Sequence, residues 1–233
     1  MAQPPSKPLR LALIGMSGVG KTYWTKHLSA ANHPAISSDD LIEARLAPTL
    51  QARGFRGING VATWMGWPDS PTYAERESQY LSEEISSLDE VLTGLEKNPS
   101  KALILDTTGS VIYTGNNLLF RLRRLMTVVH LAASDEEQQL LIRRYLDDPK
   151  PVLWRGSFQA RAGESPSDTV ARCYPALIGA RRQSYQTLAH YTLAVAGLRA
   201  LAAVAESCGQ SPAAAFLEKL RAQIDERRQV SSN

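Results

Sequence analysis

The sequence predicts an α/β domain built on a parallel sheet, and three observations carry that prediction. Short, largely apolar runs (Leu11-Ala12-Leu13-Ile14, Ala102-Leu103-Ile104-Leu105 and Met126-Thr127-Val128-Val129-His130-Leu131) have the character of strands buried on both faces. Segments with apolar residues at steps of three and four lie between them, so that strand and helix alternate. A Gly-rich turn follows the first run directly. At 233 residues, 43% hydrophobic and 21% charged, the chain suits one globular domain with a sizeable core, so residues 1–233 are taken as a single unit.

After the first strand and its turn, residues 21–30 form a predicted helix and residues 35–37 a second short strand. Residues 48–71 are irregular, with Gly54, Gly57, Gly60 and Gly66 set among Phe55, Trp64 and Trp67. Such a stretch is expected either to shape a binding site or to pack as a loop; it forms most of an insertion over about 48–80. Leu81, Ile85, Leu88, Leu92 and Leu95 share one face of a long helix that Asn98-Pro99 ends. Another helix, carrying Leu118, Leu119, Leu122 and Leu125, joins the third strand to the fourth. Ser134 and Glu137 make a capping box for a helix over 135–146. Residues 147–167 are rich in Pro, Gly and charge and read as a loop; the helix over 168–189 should break or kink at Tyr174-Pro175. A last strand is expected at 191–195, and Phe216, Leu217, Leu220 and Ile224 mark a closing amphipathic helix at about 210–228.

Composition narrows the class of function. The formal charge of +3 favours anionic ligands, but no dense Lys/Arg block with interleaved aromatics points to nucleic acid. No run of 18 apolar residues and no apolar signal-peptide core near Pro4, Pro5 and Pro8 are present, so a cytoplasmic protein without membrane contact is expected. Cys173 and Cys208 are read as reduced thiols, and His27, His33, His130 and His190 lack ligand-like spacing. A monomer is the expected state.

Gly15-Met16-Ser17-Gly18-Val19-Gly20-Lys21-Thr22 fits G-x-x-x-x-G-K-[ST] between a strand and a helix, the context a P-loop requires. Gly15, Ser17, Gly18, Val19 and Gly20 are the expected cradle, because glycine lets successive amides turn inward and the helix N-terminus adds positive charge. Lys21 supplies a full charge for the β- and γ-phosphates of ATP, and Thr22 a hydroxyl for Mg²⁺. Asp39, just beyond the second strand, could accept a proton from an attacking hydroxyl, or Ser38 or Asp39 could simply cap the next helix. Asp106, at the end of the third strand, is either a Mg²⁺-holding carboxylate or a solvated strand-end residue. Trp64 and Trp67 could floor an acceptor pocket, with packing the plainer alternative.

Over roughly residues 10–195 the chain resembles the shikimate kinase family. The likeness rests on the P-loop, Asp39 with Ile42-Glu43, Val129-His130-Leu131 with Glu136-Glu137-Gln138, Lys150-Pro151-Val152-Leu153, and Arg181 with Tyr185. It implies a three-layer α/β/α P-loop NTPase fold with a five-stranded parallel sheet, nucleoside monophosphate kinase-like, with a lid at about 148–167. It implies that Asp39 contacts acceptor hydroxyls, Arg181 grips an acceptor carboxylate, Arg143 lies near the adenine, and Lys150 takes the place of a lid arginine.

Departures fall on the acceptor side. The family's glycine triplet aligns with Thr107-Thr108-Gly109, which would put Thr108 and Gly109 against the substrate, and a second carboxylate-binding arginine aligns with Ala74. Lys150 keeps the charge of its arginine but not the planar fork. An ATP-dependent kinase of a small polar acceptor, other than shikimate, is therefore the expectation. The alternatives are a nucleotide-binding regulatory protein without kinase activity, and a P-loop kinase or ATPase directed at nucleic acid.

Overall fold

The chain is described from a computed structural model over residues 8–147 and 150–231. Five strands run through it: β1 (Arg10–Ile14), β2 (Ala35–Ser37), β3 (Leu103–Asp106), β4 (Thr127–Ala132) and β5 (Tyr191–Ala194). They form one parallel sheet in the order β2-β3-β1-β4-β5. β1 sits at the centre because Leu11 to Ile14 have no polar side chain to expose; Ala12, Leu13 and Ile14 are fully buried. Parallel neighbours need crossovers, which the helices supply: α1 (Lys21–Ala30), α2 (Ser38–Gln51), α3 (Gly57–Met65), α4 (Tyr73–Lys97), α5 (Asn116–Leu125), α6 (Asp135–Asp147) and α7 (Pro166–Leu188). The chain then adds α8 (Val195–Ser207) and α9 (Pro212–Ser231). This is the nucleoside monophosphate kinase-like P-loop fold, helices on both faces of a five-stranded parallel sheet.

Three elements differ from the sequence expectation. Residues 57–65 are helical, not irregular, since Val61, Trp64 and Met65 give that stretch a buried face and Gly66, at φ +74°, stops it. α7 runs through Pro175 without a break; Pro175 faces solvent while Cys173, Tyr174, Leu177 and Ile178 anchor the helix on both sides of it. α8 carried no sequence signal strong enough to place it, because much of its buried face is alanine. It packs on α9, whose Phe216 lies 5.0 Å from Trp24 of α1.

The segment expected to form a lid begins with residues 148–149, which lie outside the described residues. In its next part Val152, Leu153 and Trp154 are buried in the core. α4 holds this strap by its main chain. The Tyr73 hydroxyl donates to the Val152 carbonyl at 2.6 Å and accepts from the Trp154 amide at 3.1 Å, and Glu77 Oε1 accepts from the Arg155 amide at 2.9 Å. Tyr73→Phe strands one buried carbonyl and one buried amide, so chemical denaturation should show a loss of about 1–3 kcal/mol with an unchanged denaturant slope.

Candidate active site

The loop between β1 and α1 folds back on itself. A side chain at Gly15 (φ +140°) would meet the Leu131 carbonyl at 2.8 Å, and one at Gly18 (φ +82°) would meet Leu141 of α6 at 2.9 Å. Only glycine allows the turn to lie so close to β4 and α6. Lys21, the first residue of α1, reaches back so that Nζ donates to the carbonyls of Gly15 (3.0 Å) and Met16 (3.1 Å). Burial pushes its pKa down, while the carboxylates of Asp106 and Asp39 hold it up. Among the described residues, the amides of Ser17, Gly18 and Gly20 have no protein acceptor, and Val19 has only a long 3.5 Å bond to the Met16 carbonyl.

Two carboxylates face that ammonium. Asp106 ends β3 and accepts from the Thr22 hydroxyl at 2.7 Å; burial raises its pKa against the pull of Lys21 and Thr22. It is buried, not a solvated strand end. Asp39 lies in the first turn of α2 and does not cap it: Ser37 does, accepting from the Asp40 amide at 3.2 Å. Glu43 does not close the cap either, since its carboxylate accepts from the Gly57 amide at 2.7 Å and ties α2 to α3. Asp39 Oδ1 accepts from the Tyr80 hydroxyl at 3.3 Å, and its pKa is raised by burial and then by Asp106, against Lys21.

Thr108, Gly109 and Ser110 follow β3 and complete the cleft, with Arg181 of α7 behind them. Thr107 points into the sheet, donating to the Leu13 carbonyl at 2.8 Å. Thr108 Oγ1 and Ser110 Oγ both bond Glu84 of α4, Ser110 at 2.6 Å, and Glu84 is 3% exposed. Arg181 is buried as well; its Nη2 donates to the Leu153 carbonyl at 2.5 Å and its Nη1 to the Gly109 carbonyl at 3.2 Å. Tyr185 donates to that same Gly109 carbonyl, and Arg181 lies over the Tyr113 ring at 5.2 Å. Among the described residues, the Arg181 Nε has no hydrogen-bond partner.

The remaining candidates fall around this centre. Lys150 lines the cleft and donates to Asn59 Oδ1 at 2.7 Å. Arg143 is exposed on α6, the helix whose Leu141 touches the P-loop. Trp64 is core, and Trp67 is partly exposed. Arg182 pairs with Asp135 on the surface at 2.8 Å. Ala74 lies on the solvent face of α4, so its position is not one that looks into the cleft. Tyr73, Glu77, Tyr80 and Glu84 look inward instead. Sequence reading missed these four, although their spacing of four, three and four traces a polar stripe beside the leucines of α4.

No family model and no curated protein matches the chain. Solved structures do. The shikimate kinase of Acinetobacter baumannii in complex with shikimate superposes with a TM-score of 0.53 at 26% identity, covering 80% of this chain and 84% of that one. The Bacteroides thetaiotaomicron shikimate kinase gives 0.50 at 20%, covering 80% and 86%, and the Aquifex aeolicus enzyme 0.53 at 14%, covering 94% and 98%. The chain is shikimate kinase-like, with the P-loop kinase fold. No helix among the described residues is long and apolar enough to cross a membrane.

Glu84 gives the site a pH signature. Burial raises its pKa to about 7, Ser110 and Thr108 oppose the rise, Asp39 adds to it and Arg181 subtracts. A folded-state pKa above the usual 4.5 means that its contribution to stability is full below pH 4.5 and is lost as pH rises toward about 7. Glu84→Gln should remove up to about 3 kcal/mol of that decline, measured as the difference between denaturation midpoints of the two proteins at pH 5 and pH 8.

Proposed function

We propose that this chain is an ATP-dependent kinase that transfers the γ-phosphate to a hydroxyl of a small polar metabolite, working as a cytoplasmic monomer on an acceptor other than shikimate. The observation that carries the reading is the meeting of Lys21, Asp39 and the Thr22–Asp106 pair at one end of the sheet. Those groups fit a magnesium nucleotide: loop amides without protein acceptors at a helix N-terminus, a buried ammonium, and a hydroxyl beside a carboxylate. Mg²⁺, when bound, neutralises charge on the β- and γ-phosphates.

In this reading Gly15, Ser17, Gly18, Val19 and Gly20 shape the cradle, and Lys21 exchanges its two loop carbonyls for phosphate oxygens. Thr22 and Asp106 hold the metal, and Arg143 lies on the adenine side. Asp39 takes the proton of the acceptor hydroxyl. Its raised pKa suits a base better than that of a solvated aspartate, and Tyr80 fixes its orientation. Lys150 neutralises charge over the phosphates, while Thr108, Gly109 and Arg181 line the acceptor.

The acceptor side argues against shikimate. Both terminal nitrogens of Arg181 already donate to main-chain carbonyls. A carboxylate there would lack the paired charge-assisted bonds that the family resemblance implies. A regulatory nucleotide-binding role would show ATP binding without acceptor-dependent ADP release, and this difference separates it from catalysis.

Two measurements test the proposal. Lys21→Ala should lose most affinity for Mg-ATP in calorimetric titration; equal binding by the two proteins would end the P-loop assignment. Asp39→Asn should keep that affinity and lose phosphoryl transfer once an acceptor is in hand, because an amide cannot take the proton. With millimolar shikimate the rate constant should stay well under the range of about 1–100 per second usual for kinases, and a value inside that range would make the acceptor ordinary for the family.

A further inference from the structure

The space available to an acceptor is divided in two. The cleft against Lys21 and Asp39 offers about 40 Å³, room for about three waters. Lys150 and Pro151 line that cleft and also line a second cavity of about 340 Å³, walled by Met65, Trp67, Tyr145 and Val152 with Asn59 and Thr63 at its polar edge. A volume of about 300–1,000 Å³ is what small-molecule sites enclose, so the second cavity is of ligand size and the first is not.

The walls of the larger cavity are set for a flat apolar group. Tyr145 is buried and fixed by stacking on Tyr174, ring centres 4.3 Å apart. Trp67 stands edge-on to Tyr145 at 6.1 Å. Trp64 and Trp154 are each 1% exposed, but Trp67 keeps 37% of its surface in water. An indole left open at the rim of an aromatic cavity gains free energy from any ring that covers it. A hydroxyl confined to three waters' space gains little by comparison, so binding must draw on contacts beyond the cleft.

We infer that this cavity is a second acceptor subsite, taking an aromatic or flat apolar ring joined to the hydroxyl-bearing end that enters the cleft beside Asp39. The inference rests on the kinase reading, and it narrows the acceptor to a class: a polar alcohol carrying a ring. The Lys150–Asn59 bond lies at the boundary of the two spaces, where the link between ring and alcohol would pass.

A matched pair of probes tests it. In the presence of Mg-ADP, 3-phenoxypropane-1,2-diol and 3-methoxypropane-1,2-diol present the same diol with and without the ring. Calorimetric titration should show the phenoxy diol binding about tenfold or more tightly. Trp67→Ala, which removes the wall, and Ala62→Leu, which fills the cavity, should each shrink the gap to about twofold and leave Mg-ATP affinity unchanged. Equal binding of the two diols by the unaltered protein, binding of neither, or a gap that survives Ala62→Leu would overturn the subsite. Mg-ATP affinity, measured on the unaltered protein, keeps the two ideas apart: its absence would sink the kinase reading, whereas its presence with indifferent diols removes the subsite alone.

Discussion

The arrangement depends on one ammonium kept out of water. Lys21 is buried, and a buried cation is tolerated only with partners on several sides. It has carbonyls from its own loop and the carboxylates of Asp39 and Asp106, which stand at the ends of different strands. Meeting that demand fixes the tight turn at Gly15, the parallel packing of β3 beside β1, and the entry of α2 from β2. The carboxylates are bound in turn. Asp106, which is buried, would be costly without the ammonium, and Thr22 and Tyr80 add a hydrogen bond to each carboxylate.

The β1–α1 loop of the candidate site was legible in the sequence because it is local. A strand, six loop residues and a helix lie in one continuous stretch, Asp39 comes just after β2, and Asp106 ends β3. The rest of the cleft is assembled from distant segments and was not legible in the same way. Tyr80 meets Asp39, and Glu84 the loop after β3, only because α4 packs back against α2, and their stripe was hidden beside a stronger row of leucines. The Tyr73 clamp on the strap spans 81 residues of sequence to Trp154, and no periodicity encodes such a pair. Where alanine supplies the buried face, as in α8, or where glycine punctuates a helix without preventing it, as around α3, composition misled or stayed silent.

The same division separates the energetic characters of the two halves. Around the P-loop, charges oppose charges, and position is set electrostatically. Around the cleft, Glu84 accepts hydrogen bonds from the Thr108 and Ser110 hydroxyls, while burial raises its pKa to about 7. Protonation leaves that wall uncharged on the acid side, and ionisation on the alkaline side adds a buried charge that the two hydroxyls and Arg181 only partly offset.

Arg181 ties the strap to the loop after β3 through carbonyls: its hydrogen bonds at Leu153 and Gly109 are to peptide oxygens that any residue would present. The clasp is therefore blind to what is written at the positions it grips. The two bonds themselves survive any exchange that keeps the backbone path, whereas a Cβ at Gly109 would come into contact with Arg181, Ser17 and Tyr185, so that a larger side chain there would have to displace them. A cleft closed in this way is a replaceable lining on a fixed frame, open to re-tailoring for a new guest without rebuilding the machinery beneath it.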